Sequence, residues 1–190
     1  MAAAVHAGAR KIVYSGVYHP SLSLGNHAST RPIEEALYRS ELAFVVLQPA
    51  MFFQGLTDVY QRALRSGTVV MPWSKHSRMT YVDYRDVADV AAIAFTDDAL
   101  DHGTFELAAP ETYNRVQLAA AMSLAAGRQL TAADPDGAPH EQSGQPEGLT
   151  AMFRDYDRYG IHGGNPLVLR TILQREPRAM QAFLTELRST

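Results

Sequence analysis

The chain has 190 residues, the length of one ordinary domain, and 46% of them are hydrophobic, enough to bury a core and to exclude a disordered chain. Its 17 basic and 20 acidic side chains give a formal net charge of −3, which argues against a phosphate-tracking surface and so against a nucleic-acid partner. Cysteine is absent, which excludes disulfides, thiolate zinc sites and thiol catalysis.

Residues 12–17 (Ile-Val-Tyr-Ser-Gly-Val) form the first informative run, nearly unbroken in apolar character. A second run, residues 43–47 (Ala-Phe-Val-Val-Leu), stops at Pro49. Continuous apolar runs suit strands covered on both faces of a parallel sheet. Between them a helix is predicted from near Pro32, with Ile33, Ala36 and Leu37 on one face; proline is tolerated in a first helical turn. Strand, helix, strand in that order is a right-handed βαβ crossover, so the fold class is α/β.

Leu56, Val59, Tyr60, Ala63 and Leu64 then recur at helical spacing, and Gly67 stops that helix. Residues 68–71 read as a short strand. Val87, Val90, Ala91, Ala94 and Phe95 mark a further helix, with Asp83 and Asp86 spaced as caps at its start. Residues 103–108 read as a strand, Thr112 as the cap of a helix through Ala126 ended by Gly127, and residues 129–132 as an edge strand. From 134 to 148, three prolines and three glycines sit among polar residues, the composition of a loop or lid. Leu149, Met152, Phe153 and Tyr156 mark one more helix, and Met180, Phe183, Leu184 and Leu187 the last. Arg154, Arg158, Arg170, Arg175 and Arg178 alternate with acids and read as a solvated face.

No stretch approaches the roughly 20 apolar residues of a membrane span. The apolar start precedes the basic pair Arg10 and Lys11, the reverse of a secretory signal, so a cytoplasmic protein without a membrane partner is expected. Nucleophile-elbow, Walker-loop and His-Glu-x-x-His motifs are absent. The seven histidines are scattered, and no metal site is expected.

Taken in order, several segments resemble the NmrA-like group of atypical short-chain dehydrogenase/reductases. Lys11-Ile12-Val13-Tyr14-Ser15-Gly16-Val17 resembles that family's fourth strand, and residues 27–37, from His27 through Pro32 to Leu37, the helix after it. Phe44-Val45-Val46-Leu47-Gln48-Pro49-Ala50-Met51-Phe52 is similar to the fifth strand and the loop that covers the nicotinamide. Tyr81-Val82-Asp83-Tyr84-Arg85-Asp86-Val87-Ala88 is similar to a late capping motif, and Pro177-Arg178 to the approach to a final helix. The resemblance implies the C-terminal half of a Rossmann-like parallel sheet with flanking helices and a small, mostly helical substrate-side subdomain. On that basis residues 1–133 form a partial NAD(P)-binding region, 134–148 a flexible loop or lid, and 149–190 the helical part of the subdomain.

Family members begin with a strand running into a glycine-rich turn whose helix N-terminus holds the dinucleotide diphosphate. This sequence contains no such turn, and the first third to two fifths of a typical member is expected to lie outside it. NAD(P) is therefore the implied cofactor, but the chain alone is not expected to hold it. Residues 12–17 would also present a hydrophobic strand edge that invites self-association.

Ser15, at the carboxyl end of its strand, either polarises a substrate carbonyl, as the resemblance implies, or bonds nearby backbone as a turn residue. Thr30 falls where many relatives carry a catalytic or ribose-binding lysine, and Arg31 beside it reads as solvated. His27 is a titratable neighbour of that helix or a capping residue. Ser15, Gly16, Thr30, Pro49, Ala50, Met51 and Phe52 are the implied cofactor contacts. Small and aromatic residues after a parallel strand suit a flat ring, with Gln54 available to an amide; the alternative is that Phe52 and Phe53 enter the core. Phe53, Gln54, Trp73 and Met79 are the candidate substrate contacts, although Trp73 and Met79 are equally placed to pack beneath the C-terminal helices. The implied activity is hydride transfer to a small-molecule carbonyl or quinone-like substrate. The alternatives are a non-catalytic dinucleotide-sensing or regulatory protein, or an inactive gene fragment.

Overall fold

In the computed structural model, which describes residues 2–135 and 146–188, helix α1 (Ala2–His6) leads into strand β1 (Lys11–Ser15). Two short helices, α2 (Gly25–Ala28) and α3 (Arg31–Tyr38), carry the chain to β2 (Ala43–Pro49). β1 and β2 are parallel, with Lys11 opposite Ala43 and Ser15 opposite Leu47. The predicted βαβ unit is thus present, although β1 ends two residues earlier than the apolar run suggests.

β2 is continuously apolar because both its faces are covered. Val45 and Leu47 face the main core, while Phe44 and Val46 pack on Leu37 of α3 with Ile12 and Tyr14. Removing side chains of this size from water stabilises by about 1.5–3 kcal/mol each. β1 is only half-buried and has no strand partner on its outer side among the described residues. On α3, Leu37 and Glu34 are the buried residues and Ile33 is exposed, which corrects the predicted stripe by one position.

Strand β3 (Met51–Phe52) follows β2 directly, and a 3-10 turn (Phe53–Leu56) opens α4 (Thr57–Ser66). Gly67 ends α4 with φ 79°, the left-handed geometry that glycine adopts without strain. Next come β4 (Thr68–Val69), β5 (Met79–Val82) and α5 (Tyr84–Thr96). β5, which no sequence signal marks as a strand, pairs in parallel with β3. Asp83 caps α5 by accepting from the Arg85 N–H at 2.8 Å. Phe95, expected on the buried stripe, is exposed.

β6 (Gly103–Leu107) runs parallel to β2 on its other side, giving the sheet order β1-β2-β6. Thr112 does not cap the next helix. It lies in β7 (Thr112–Tyr113), antiparallel to β5, and Asn114 caps α6 (Arg115–Ala126) in a reciprocal capping box with Gln117. β8 (Thr131–Ala132) pairs with β4. Glu147 and Gly148, expected in the loop, begin α7 (Glu147–Tyr159), while residues 136–145 of that loop lie outside the described residues.

Helix α8 (Leu167–Leu173), which was not foreseen, packs on α5 and β6, and α9 (Met180–Arg188) packs on α6. Arg175 and Arg178 keep part of their surface in solvent, as expected, but are not free on it. Both reach the buried Asp86 carboxylate: Arg175 Nη2 lies 2.7 Å from Oδ1, the Arg178 N–H donates to Oδ2 at 2.7 Å, and the Arg178 guanidinium also meets Oδ1. Asp86 is therefore the anchor of the C-terminal segment rather than a second cap.

Candidate functional site

Ligands of open α/β sheets bind outside the carboxyl ends of the strands, and backbone hydrogen bonds hold those ends flush here. The Gly16 N–H donates to Leu47 O at 2.8 Å, Tyr18 N–H to Pro49 O at 3.1 Å, and Ala50 N–H to Leu107 O at 3.0 Å. Ser15 is exposed at the tip of β1, Gly16 is half-buried, and Pro49 and Ala50 are buried. Met51 is half-buried and Phe52 is 41% exposed, whereas Phe53 is 1% exposed and packs on Phe183 at 5.6 Å between ring centroids. The two phenylalanines thus divide the two roles. Phe52 stays uncovered beside the strand ends, and Phe53 is core, not a substrate contact.

A buried polar group underlies Gly16. Gln48 Nε2 donates to both oxygens of Glu34 at 3.2 Å, and the Tyr38 hydroxyl donates to Glu34 Oε2 at 3.2 Å. Burial, reinforced by the Glu34 charge, raises the Tyr14 pKa, so its phenol stays protonated.

The loop between β1 and α2 is pinned from α2 and α3. Buried His27 places Nδ1 3.0 Å from His19 O, and its Nε2 has no hydrogen-bond partner among the described residues. Arg31 is exposed, as expected, but it is also tied to backbone: its Nε donates to Pro20 O at 2.7 Å and its Nη2 to Leu22 O at 2.6 Å. The Thr30 hydroxyl donates to His27 O at 2.9 Å. Thr30 and Arg31 therefore brace backbone, and neither holds a proton for transfer at the strand ends.

Gln54 is engaged at both ends. Its Nε2 donates to Asp83 Oδ1 at 2.8 Å, and its Oε1 accepts from the Tyr84 N–H at 3.1 Å, so its amide is held in place with one N–H and one lone pair left over. Asp83 is fully buried, which opposes ionisation, yet Arg85, a backbone N–H and Gln54 together hold its carboxyl below the usual range. Met79 is buried in the core. Trp73 is buried beneath α7, with ring centroids 5.8 Å from both Phe153 and Tyr156.

Three predicted residues do meet. Met51, Phe52 and Trp73 line one pocket of about 250 Å3, closed by Tyr81, Phe153 and Arg62. Tyr81 stands in the sequence only as the start of the capping segment, not as a site residue, and Arg62 carries no motif. Arg62 follows Val59 by three positions on the flank of the α4 stripe, the one signal that could have found it. Buried Arg115 holds the loop under Trp73, with Nη2 3.0 Å from Met71 O. A polar cleft of about 410 Å3, lined by Ser74, His76, Arg78, Asp157 and His162 among others, contains none of the predicted contacts. Among the described residues, no group of three or more His, Asp or Glu is placed to hold a metal ion, and no helix is long and apolar enough to cross a membrane.

No family model matches the chain. It is 30% identical over 97 residues to the NAD(P)H azoreductase of Xenophilus azovorans, an alignment covering 51% of this chain and 34% of the azoreductase. The chain thus matches only about a third of that relative's length. The NADPH-dependent quinone oxidoreductase QOR2 of Escherichia coli superposes with a TM-score of 0.82 at 21% identity, covering 98% of this chain and 70% of that one. NmrA, a negative transcriptional regulator solved with NAD, gives a TM-score of 0.71 at 17% identity, covering 97% of this chain and 66% of NmrA. The likeness to the NmrA-like group expected from the sequence therefore holds for the fold, which is the Rossmann-like α/β fold of NAD(P)-binding reductases.

Proposed function

We propose that the chain supplies the nicotinamide and acceptor side of an NAD(P)-dependent oxidoreductase-type site, with hydride transfer to a small carbonyl or quinone-like acceptor as the reaction. The observation that carries this reading is the meeting of Met51, Phe52 and Trp73 around one apolar pocket, with Phe52 uncovered beside parallel strand ends. The residues present fit the nicotinamide end of the cofactor: Gly16 and Ala50 are small, and Phe52 offers a bare aromatic face. They do not fit its diphosphate, because the sequence holds no glycine-rich turn from a strand into a helix.

NAD(P) when bound supplies the hydride. The chain's own part is positioning: the exposed Ser15 hydroxyl donates a hydrogen bond to the acceptor oxygen, and the pocket walls exclude water and fix the acceptor's plane. No side chain beside Ser15 is assigned as the proton donor, since Thr30 and Arg31 are committed to backbone. That commitment favours a second reading, a dinucleotide-sensing or regulatory protein without turnover.

Reduction of a quinone by the purified chain at high NADPH concentration, followed by loss of reduced-nicotinamide absorbance, separates the two. The first reading expects turnover that falls about 10- to 100-fold in Ser15→Ala. Turnover that is unchanged in Ser15→Ala contradicts it. Saturable dinucleotide binding without turnover supports the second.

A further inference from the structure

The apolar pocket does not end at its own walls. A second cavity, of about 320 Å3, is lined by Arg62, Arg65, Ser66 and Thr68 together with Val59 and Val70. The two cavities share Val59, Arg62 and Val70, so they adjoin along α4 and are taken together as one groove. Its inner end presents the aromatic faces of Phe52, Trp73, Tyr81 and Phe153. Its outer end presents two guanidinium groups three residues apart on the same helical face.

Among the described residues, no acid lines either cavity. Arg62 and Arg65 make no ion pair or hydrogen bond among the described residues, unlike Arg85, Arg115, Arg175 and Arg178, each of which meets a carboxylate. The rim is also uncompensated in the apolar sense. Phe52 and Val70 stay 41% and 40% exposed, and large uncovered apolar side chains grouped beside a cavity mark a binding surface. Slot and cations together select a ligand with a flat apolar body and an anionic end, and a planar guanidinium matches a carboxylate with two parallel N–H donors.

We propose that this groove binds an aromatic carboxylate, its ring system against Trp73 and Phe52 and its carboxylate on Arg62 and Arg65. This narrows the substrate class of the acceptor pocket to aromatic carboxylates that also carry a carbonyl or quinone group, and it rests on the reductase reading only for the claim that this second group takes the hydride.

Trp73 is the sole tryptophan, so its emission reports on the slot directly. The purified chain, with no nicotinamide present, is titrated with 2-naphthoate and with its uncharged isostere 2-naphthamide. A saturable change in Trp73 emission is expected, with naphthoate bound about tenfold more tightly than the amide and weakened by added salt. Replacing both cations (Arg62→Gln with Arg65→Gln) brings the two affinities within about twofold. Both side chains are exposed on α4, so the variant keeps its fold. Equal affinities in the natural chain, a tenfold preference surviving in the double variant, or no saturable response to either ligand overturns the proposal. No cofactor enters the assay, so failure of the hydride-transfer reading leaves all of these outcomes unaffected.

Discussion

Asp86→Ala removes the anchor of the C-terminal segment, and its cost follows from the contacts. The Asp86 side chain is fully buried and accepts from the Arg175 guanidinium, the Arg178 guanidinium and the Arg178 backbone N–H. Hydrogen bonds to a charged group contribute about 1.5–3 kcal/mol each in protected settings. Here the guanidinium partners are 38% and 34% exposed, so they regain water when the carboxylate is lost, which discounts two of the three contacts. About 3 kcal/mol of destabilisation is expected, the lower end of the range for breaking a buried ion pair. In a chain of this length that lowers the midpoint of thermal unfolding by about 6–12 °C. Asp89, bound by the same two arginines but 47% exposed, provides the control: Asp89→Ala costs no more than about 1 kcal/mol. Urea denaturation of both variants measures the difference. An Asp86→Ala variant within about 0.5 kcal/mol of the natural chain, or an Asp89→Ala variant equally damaged, refutes the anchor.

Gly160 has φ 68°, and a Cβ there would lie 2.3 Å from Arg78 O, so Gly160→Ala is expected to cost about 2–4 kcal/mol by urea denaturation. Phe53→Ala leaves a core cavity and costs about 3–5 kcal/mol, whereas Phe52→Ala costs less than about 1 kcal/mol; reversed costs would contradict the division between core and surface. Asp83 titrates in the folded chain below its usual pKa, so its contribution is complete above about pH 4 and is lost as pH falls through the folded value. Urea midpoints of Asp83→Asn should therefore fall less steeply than those of the natural chain below about pH 4, and parallel slopes would count against the assignment.

The parts of the fold legible in the sequence are those governed by neighbours along the chain. The runs at 12–17 and 43–47 could be read as parallel strands because burial on both faces demands apolar residues at every position, as β2 shows. Gly67 and Gly127 could be read as helix stops because left-handed backbone favours glycine. Thr112 was misread because its partner, Thr80 of β5, is remote in sequence, while the true cap was legible in the Asn114 and Gln117 spacing. Nothing local to Arg175 and Arg178 indicates Asp86, nearly half the chain away.

The candidate site divides along the same line. The strand ends at Ser15 and Pro49 follow from the strands themselves. Which of Phe52 and Phe53 enters the core depends on α9, whose Phe183 meets Phe53. Gln54 and Arg31 carry amide and guanidinium groups that suit ligands, and only the structure shows them tied to Asp83, Tyr84 and the Pro20–Leu22 backbone.

On the proposed function, these residues meet a nicotinamide but do not grip a dinucleotide's diphosphate. The most direct test is calorimetric titration of the chain with reduced nicotinamide mononucleotide and with NADPH, side by side. Dissociation constants within about threefold of each other are predicted, because the added diphosphate and adenosine find no cradle. NADPH binding more than about tenfold tighter than the mononucleotide would contradict the account.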